Sequence, residues 1–154
     1  EAMKAGRRSA FFSLESSQRD IEKSFRTIGA NWTDFRPLFD FDNSDAISAD
    51  YIIAKLATAP QGTFVVVDYL QLLDQKREKP ALMTQVQALK AFARERSLIT
   101  VFLSQIDRSF DPAKKALPRL EDVRLPNPLD LKLFDKTCFL HDGAMQLHLS
   151  LRSR

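Results

Sequence analysis

The stretch Phe64-Val65-Val66-Val67-Asp68-Tyr69-Leu70 constrains the fold more than any other part of the chain. It is apolar at consecutive positions, so as a strand it presents apolar side chains to both faces of a sheet. A strand of that kind needs cover on both sides, as parallel strands flanked by helices have. Leu98 to Leu103 repeats the pattern, Ser9 to Leu14 reads as a third buried strand, and Phe35 to Asp40 as a shorter fourth. The segments between them have helical character. One helix is expected from an N-cap at Ser16 or Ser17, with Asp20 in its first turn, through Ile21, Phe25 and Ile28 to a stop at Gly29. After a turn at Asp42-Asn43-Ser44, a second starts at Ser44 or Asp45, carries Ile47, Tyr51, Ile52 and Leu56 on one face, and ends by Pro60-Gln61-Gly62. A third spans Pro80 to Ser97 with Leu82, Val86, Leu89 and Phe92 in helical period. Buried strands alternating with amphipathic helices predict an α/β fold with a mainly parallel sheet and right-handed crossovers.

The remaining segments fill in the plan. Gln75 to Pro80 reads as a charged loop. Arg108 to Pro128 is polar, with prolines at 112, 118, 126 and 128, and reads as a long functional or mobile loop. Thr137 to Leu140 and Met145 to Leu151 are strand-like, and His141-Asp142-Gly143-Ala144 between them is a hairpin signal. That hairpin is expected to add antiparallel strands at an edge of the sheet, with His141 and His148 at the surface. Glu1 to Ala5 followed by Gly6 reads as the last turns of a helix whose beginning lies upstream, so a longer native chain is expected.

Composition bounds the function classes. At 154 residues, 44% hydrophobic and 28% charged, the chain is of one-domain size with enough apolar material for a core. A net charge of +3 permits a nucleic-acid partner without arguing for one. The single cysteine, Cys138, excludes an internal disulfide framework. No run of about 18 apolar residues suggests a membrane span. No signal peptide is visible, so the expected location is the cytoplasm and no membrane partner is expected.

In open α/β sheets, ligands bind beyond the carboxyl ends of the strands. Glu15 follows the strand at Ser9 to Leu14, Asp68 ends the one at Phe64 to Leu70, and Ser104-Gln105 follow the one at Leu98 to Leu103. Two carboxylates and an amide delivered to one edge suit hydrolysis at a phosphate. One carboxylate holds Mg²⁺ through water, the other orients or deprotonates the attacking water, and the amide senses the terminal phosphate. Each has a plainer alternative: Asp68 as a strand terminator, Glu15 as a charge favoured by a helix dipole, Gln105 as a loop residue. The joint position carries the signal.

Five segments, in order, resemble the DnaB-family replicative helicases. Phe11-Phe12-Ser13-Leu14-Glu15 is similar to the segment bearing that family's catalytic glutamate. Val65 to Leu73, with its Tyr69-Leu70-Gln71 tail, resembles the Walker B strand, and Leu89-Lys90-Ala91-Phe92-Ala93-Arg94-Glu95 the helix after it. Leu103-Ser104-Gln105-Ile106-Asp107-Arg108 resembles the Ser-Gln-Leu-Asn-Arg motif, and Leu120-Glu121-Asp122-Val123-Arg124 the opening of a DNA-binding loop. The resemblance implies a RecA-like three-layer α/β fold, a mainly parallel sheet flanked by helices with a C-terminal antiparallel hairpin, as one domain over residues 1–154. It implies ATP and Mg²⁺ as cofactors, Glu15 as general base, Asp68 as the metal's partner and Gln105 as γ-phosphate sensor. Arg108 assists near the phosphates, and Arg119 and Arg124 approach single-stranded DNA. Hexamers are a family expectation. For these arginines a solvated loop is the plainer alternative.

The sequence also departs from the family. No Gly-x-x-x-x-Gly-Lys-Ser/Thr occurs in these residues, so the Walker A loop and its central strand are expected upstream, the lysine motif about 12 to 20 residues before Glu1. ATP binding by these residues alone is expected to be weak or nil. Leu125-Pro126-Asn127-Pro128 replaces the family's usual continuation after Arg124, and two prolines remove two backbone donors there. No arginine finger is evident. These departures motivate a second reading, a non-hydrolysing RecA-fold module that binds DNA or a partner. An unrelated α/β enzyme is the third, without a Gly-x-Ser-x-Gly, a dinucleotide glycine pattern or a His/Cys metal cluster to support it.

Overall fold

In the computed structural model, four parallel strands form one sheet in the order β2-β1-β3-β4: β1 Ser9–Ser13, β2 Phe39–Asp42, β3 Phe64–Asp68 and β4 Ile99–Phe102. The structure describes residues 1–74, 80–125 and 127–150. Gln75 to Lys79, most of the expected charged loop, lie outside them, as do Pro126 and Leu151. The chain divides into two compact units, Glu1–Leu103 and Ser104–Arg154.

In the first unit, helices α1 Gln18–Thr27, α2 Trp32–Phe35, α3 Ala49–Lys55 and α4 Leu82–Glu95 connect the strands. Right-handed crossovers put α1 on one face of the sheet and α3 with α4 on the other. The parallel register sets Ala10 beside Val65 and Phe12 beside Val67, on the face of α3 and α4. Those four side chains are 3%, 1%, 2% and 0% exposed, which locates the core. The opposite face carries Phe11, Phe41, Phe64 and Val66, all half-buried. There Phe25 of α1 meets Trp32, Phe35 and Phe39 edge-on or tilted, with ring centroids 5.2, 6.0 and 5.6 Å away. β1, β3 and β4 are hydrogen-bonded neighbours, so the ladder runs without a gap.

Local chemistry explains the element ends. Ser17 caps α1 in a reciprocal box with Asp20, as expected. Gly29, at φ +71°, closes it, its N–H donating to Arg26 and that of Ala30 to Phe25. A similar bonding pattern occurs at Gly6, where Gly6 N–H reaches Met3 and Arg7 N–H reaches Ala2, but Ala2 to Gly6 form turns rather than the helix end expected there. Helix α4 ends the same way on a non-glycine, Ser97 at φ +53°.

Several expectations need correction. Phe35 does not begin a strand. Asn31 caps the short α2 through the Thr33 N–H, Pro37 follows in a 3₁₀ turn over Arg36–Leu38, and pairing starts only at Phe39. The second long helix begins at Ala49 rather than Ser44 or Asp45, because Ser44 is spent in a turn, its N–H donating to Asp42, and Ser48 supplies the cap. The terminal hairpin, β5 Lys136–His141 and β6 Ala144–Leu149, forms a two-stranded sheet of its own rather than extending the parallel one.

That hairpin belongs to the second unit, and its turn is Asp142-Gly143, both at positive φ (46° and 76°). Its register pairs Cys138 with Leu147 and Leu140 with Met145, which together with Leu149 make one exposed apolar face. Phe139 and His148 lie on the other face with ring centroids 5.6 Å apart. His141 and His148 are half-buried rather than at the surface, each against an aromatic ring: Phe110 for His141 and Phe139 for His148. Among the described residues, Arg108 to Pro128 is irregular apart from one 3₁₀ turn over Leu120–Asp122 and a β-bridge at Val123. Among the described residues, no helix is long and apolar enough to cross a membrane.

Candidate nucleotide-hydrolysis site

In the first unit, Glu15 and Asp68 are tied through one serine. The parallel register puts Ser13 beside Asp68 at the carboxyl edge of β1 and β3. Ser13 is 0% exposed. Its hydroxyl donates to Asp68 Oδ2 at 3.1 Å and accepts the Glu15 backbone N–H at 3.1 Å. Both capacities of the hydroxyl are thereby used. The Asp68 carboxylate is half-buried, and the Glu15 side chain, in the bend before the α1 cap, is exposed. Sequence reasoning had passed over Ser13. Aligning the carboxyl ends of two parallel strands would have found it, since its register neighbour is Asp68.

The segment after β3 is held from below by α4. Gln85, 2% exposed, accepts the Ala49 N–H at 3.0 Å and donates to the carbonyls of Leu73 and Pro80. One carboxamide thus satisfies an orphan donor at the start of α3 and two loop carbonyls. The Asp68–Tyr69 peptide bond is cis, and Leu70 N–H donates to the Leu103 carbonyl at 2.7 Å.

In the second unit, the Gln105 and Arg124 segments run as a short antiparallel pair bridged at Ile106 and Val123. Arg124 N–H donates to the Gln105 carbonyl at 2.9 Å, Asp107 N–H to the Asp122 carbonyl at 2.7 Å, and Arg124 Nη1 to Gln105 Oε1 at 3.0 Å. The Ser109 backbone N–H and hydroxyl hold the Asp107 carboxyl below its usual range, with Arg124 and Arg108 adding to the effect. Asp122 is lowered too, first by the Arg119 backbone N–H and then by Lys115, whose ammonium lies 3.0 Å away. Arg108, Arg119 and Arg124 are exposed. Lys115, absent from the sequence reading, is the cation that ties this loop, through Asp122 and Glu121.

The donor set in the first unit is of hard oxygens, a carboxylate beside a hydroxyl, which suits Mg²⁺ better than a soft metal. Among the described residues, no three His, Cys, Asp or Glu side chains converge as a ligand set. A Mg²⁺ ion beside Asp68 would therefore take most of its oxygens from water and phosphates, as Mg²⁺ in nucleotide sites does.

A parallel sheet with helices on both faces, with Asp68 and the main chain of Glu15 at its carboxyl edge, fits a RecA-like α/β domain. A model of the DnaB-like helicase C-terminal domain matches residues 36–130, and the chain belongs to that family. The matched span contains Asp68, Gln105, Arg108, Arg119 and Arg124, while β1 and Glu15 precede it. Among solved structures, an ATPase domain is similar at 21% identity and a TM-score of 0.59, over 79% of this chain and 55% of that one. A DnaB-like replicative helicase, in a study of its interactions with primase, gives 21% identity and 0.59 over 79% of this chain and 37% of that one. A KaiC-like protein from the hyperthermophilic archaeon Pyrococcus horikoshii gives 16% and 0.51 over 67% and 49%. These likenesses are likenesses of fold. The chain spans about half or less of the length of each of these proteins. No curated protein matches.

Proposed function

We propose that the native protein is a DnaB-type ATPase, hydrolysing ATP with Mg²⁺ in the cytoplasm and acting on single-stranded DNA as a ring of identical subunits. The supporting observation is the Ser13 tie, which fixes the Asp68 carboxylate and the main chain of Glu15 to one buried hydroxyl. A fixed carboxylate is what phosphoryl transfer requires of a protein at its metal, because its catalysis is mostly positioning and charge stabilisation.

In this reading Asp68 holds the metal's water shell through the oxygen that Ser13 leaves available. Glu15, exposed beyond the end of β1, accepts a proton from the attacking water and orients its lone pair at the terminal phosphorus. Gln105 donates an amide N–H to a terminal phosphate oxygen, and Arg108 contributes positive charge near it. Mg²⁺, when bound, neutralises charge on the phosphate oxygens. Arg119 and Arg124 meet DNA phosphates, contacts that position the strand without reading sequence.

The test is steady-state ATP hydrolysis by the full-length chain beside Glu15→Gln and Asp68→Asn. Each substitution is expected to lower kcat by about 10² to 10⁴-fold, the range for loss of a positioned acid–base or charge-stabilising group. An unsubstituted chain without turnover, with both variants indistinguishable from it, would replace this reading with a non-hydrolysing RecA-fold module.

A further inference from the structure

The strand pair around Ile106 and Val123 constrains the Gln105 side chain in a particular way. The bridge sets Gln105 directly opposite Arg124, on the same face of the pair. Main-chain bonds from Arg124 to Gln105 and from Asp107 to Asp122, at 2.9 and 2.7 Å, pin the backbones on both sides of the bridge. The 3.0 Å bond from Arg124 Nη1 to Gln105 Oε1 then joins the same two residues a second time, through their side chains. Asp107, two residues from Gln105, accepts the Ser109 N–H at 2.9 Å and contributes a fixed negative charge beside the guanidinium.

We infer that Arg124 is a positioning residue for Gln105, holding the carboxamide by its oxygen so that its N–H end meets an anionic oxygen of the nucleotide. The inference rests on the reading of Gln105 as the phosphate-sensing amide. A carboxamide has two ends of opposite polarity, an acceptor oxygen and a donor nitrogen. An unrestrained amide would present its oxygen to a phosphate in one of its two orientations, which is repulsive. A guanidinium carries donors only, so it engages the oxygen end alone and fixes the orientation by polarity rather than by fit. Lysine supplies donors too, but from one point on a flexible stem, and methionine of similar length supplies none.

The experiment is ATP hydrolysis without DNA by the full-length chain carrying Gln105→Ala, Arg124→Met, Arg124→Lys or Gln105→Ala with Arg124→Met, each checked for an unchanged melting temperature. Gln105→Ala is expected to lower kcat about a hundredfold, as loss of a transition-state donor does. Arg124→Met is expected to lower kcat about tenfold, in line with loss of an outer-shell partner, with KM within about twofold. Arg124→Lys falls between Arg124→Met and the unsubstituted chain, and keeps the test decisive where Arg124→Met does not fold. In the Gln105→Ala background Arg124→Met adds nothing. A normal kcat in Gln105→Ala removes the sensing role and the inference with it. A slow Gln105→Ala beside a normal Arg124→Met, or an Arg124→Met effect that persists undiminished in the double variant, overturns the inference and leaves the sensing role standing.

Discussion

The two units hold their candidate residues by different means. In Glu1–Leu103, Asp68 ends a strand whose Val65 and Val67 are 1% and 0% exposed, and the serine that grips it is fully buried. In Ser104–Arg154 the buried apolar residues among those described are Pro118, Leu129 and Phe139, and the bond between Gln105 and Arg124 is at the surface. Packing fixes the first arrangement, and polar bonds among exposed and half-buried groups fix the second. Packing is insensitive to salt and mild acid, whereas exposed ion pairs are screened by salt and lost on protonation.

The strongest challenge to that contrast is a cavity in the first unit. Ile52 is 1% exposed on α3, and Ile52→Ala is expected to destabilise the chain by about 2 to 5 kcal/mol in denaturant unfolding. A loss under about 1 kcal/mol would mean that the core does not carry the sheet. Gln85→Met comes next. It preserves volume but strands one N–H and two carbonyls, so a loss of about 2 to 3 kcal/mol is expected, with faster amide exchange at Ala49. Ser17→Ala removes the α1 cap and should cost about 1 kcal/mol.

Acid sharpens the comparison on the other side. Asp107 and Asp122 both have native pKa values below the ordinary aspartate value. A lowered native value stabilises the fold fully above the unfolded pKa, near 4. That contribution declines as pH falls from there through the native values. NMR signals of Asp107 and Arg124 amides should therefore shift or broaden as pH falls below about 4, before those of Val65 and Val67. Asp122→Asn is expected to remove the share of that pH dependence due to Asp122 and to leave the share due to Asp107, and raised salt to mimic it in part. Coincident changes in both sets of amides would erase the distinction. The smallest expected effect is a gain. Ser97→Gly relieves a left-handed φ on a residue with a Cβ and should stabilise by about 0.5 to 1 kcal/mol.

The strands and long helices were legible because burial on two faces, or on one helical stripe, writes itself into residue order. Val65 to Val67 and the stripe of Leu82, Val86 and Leu89 are of that kind. The segment from Asn31 to Leu38 was not, because Trp32 and Phe35 pack a helical turn against Phe25 and the residues after it carry no strand period to separate the two cases. The start of α3 was misjudged because Ser44, Asp45 and Ser48 compete for the cap, and tertiary packing decides among them. Glu15 and Asp68 were readable as strand ends. Ser13 was not, because its role depends on which strand lies beside β1. The Gln85 bonds to Ala49 and Leu73 and the Arg124–Gln105 bond were equally hidden, since each joins residues at least a dozen apart in the chain.

The two-residue link at Asp142 and Gly143 has a consequence for inherited change. Side chains in a strand alternate sides, so one added residue in that link would turn β6 over relative to β5. Met145, Leu147 and Leu149 would swing to the side of Phe139, and Gln146 and His148 would take their places outside. Evolution can therefore exchange almost any letter along β6 more safely than it can lengthen the turn by one, and indels here should be rarer than substitutions among descendants of this gene.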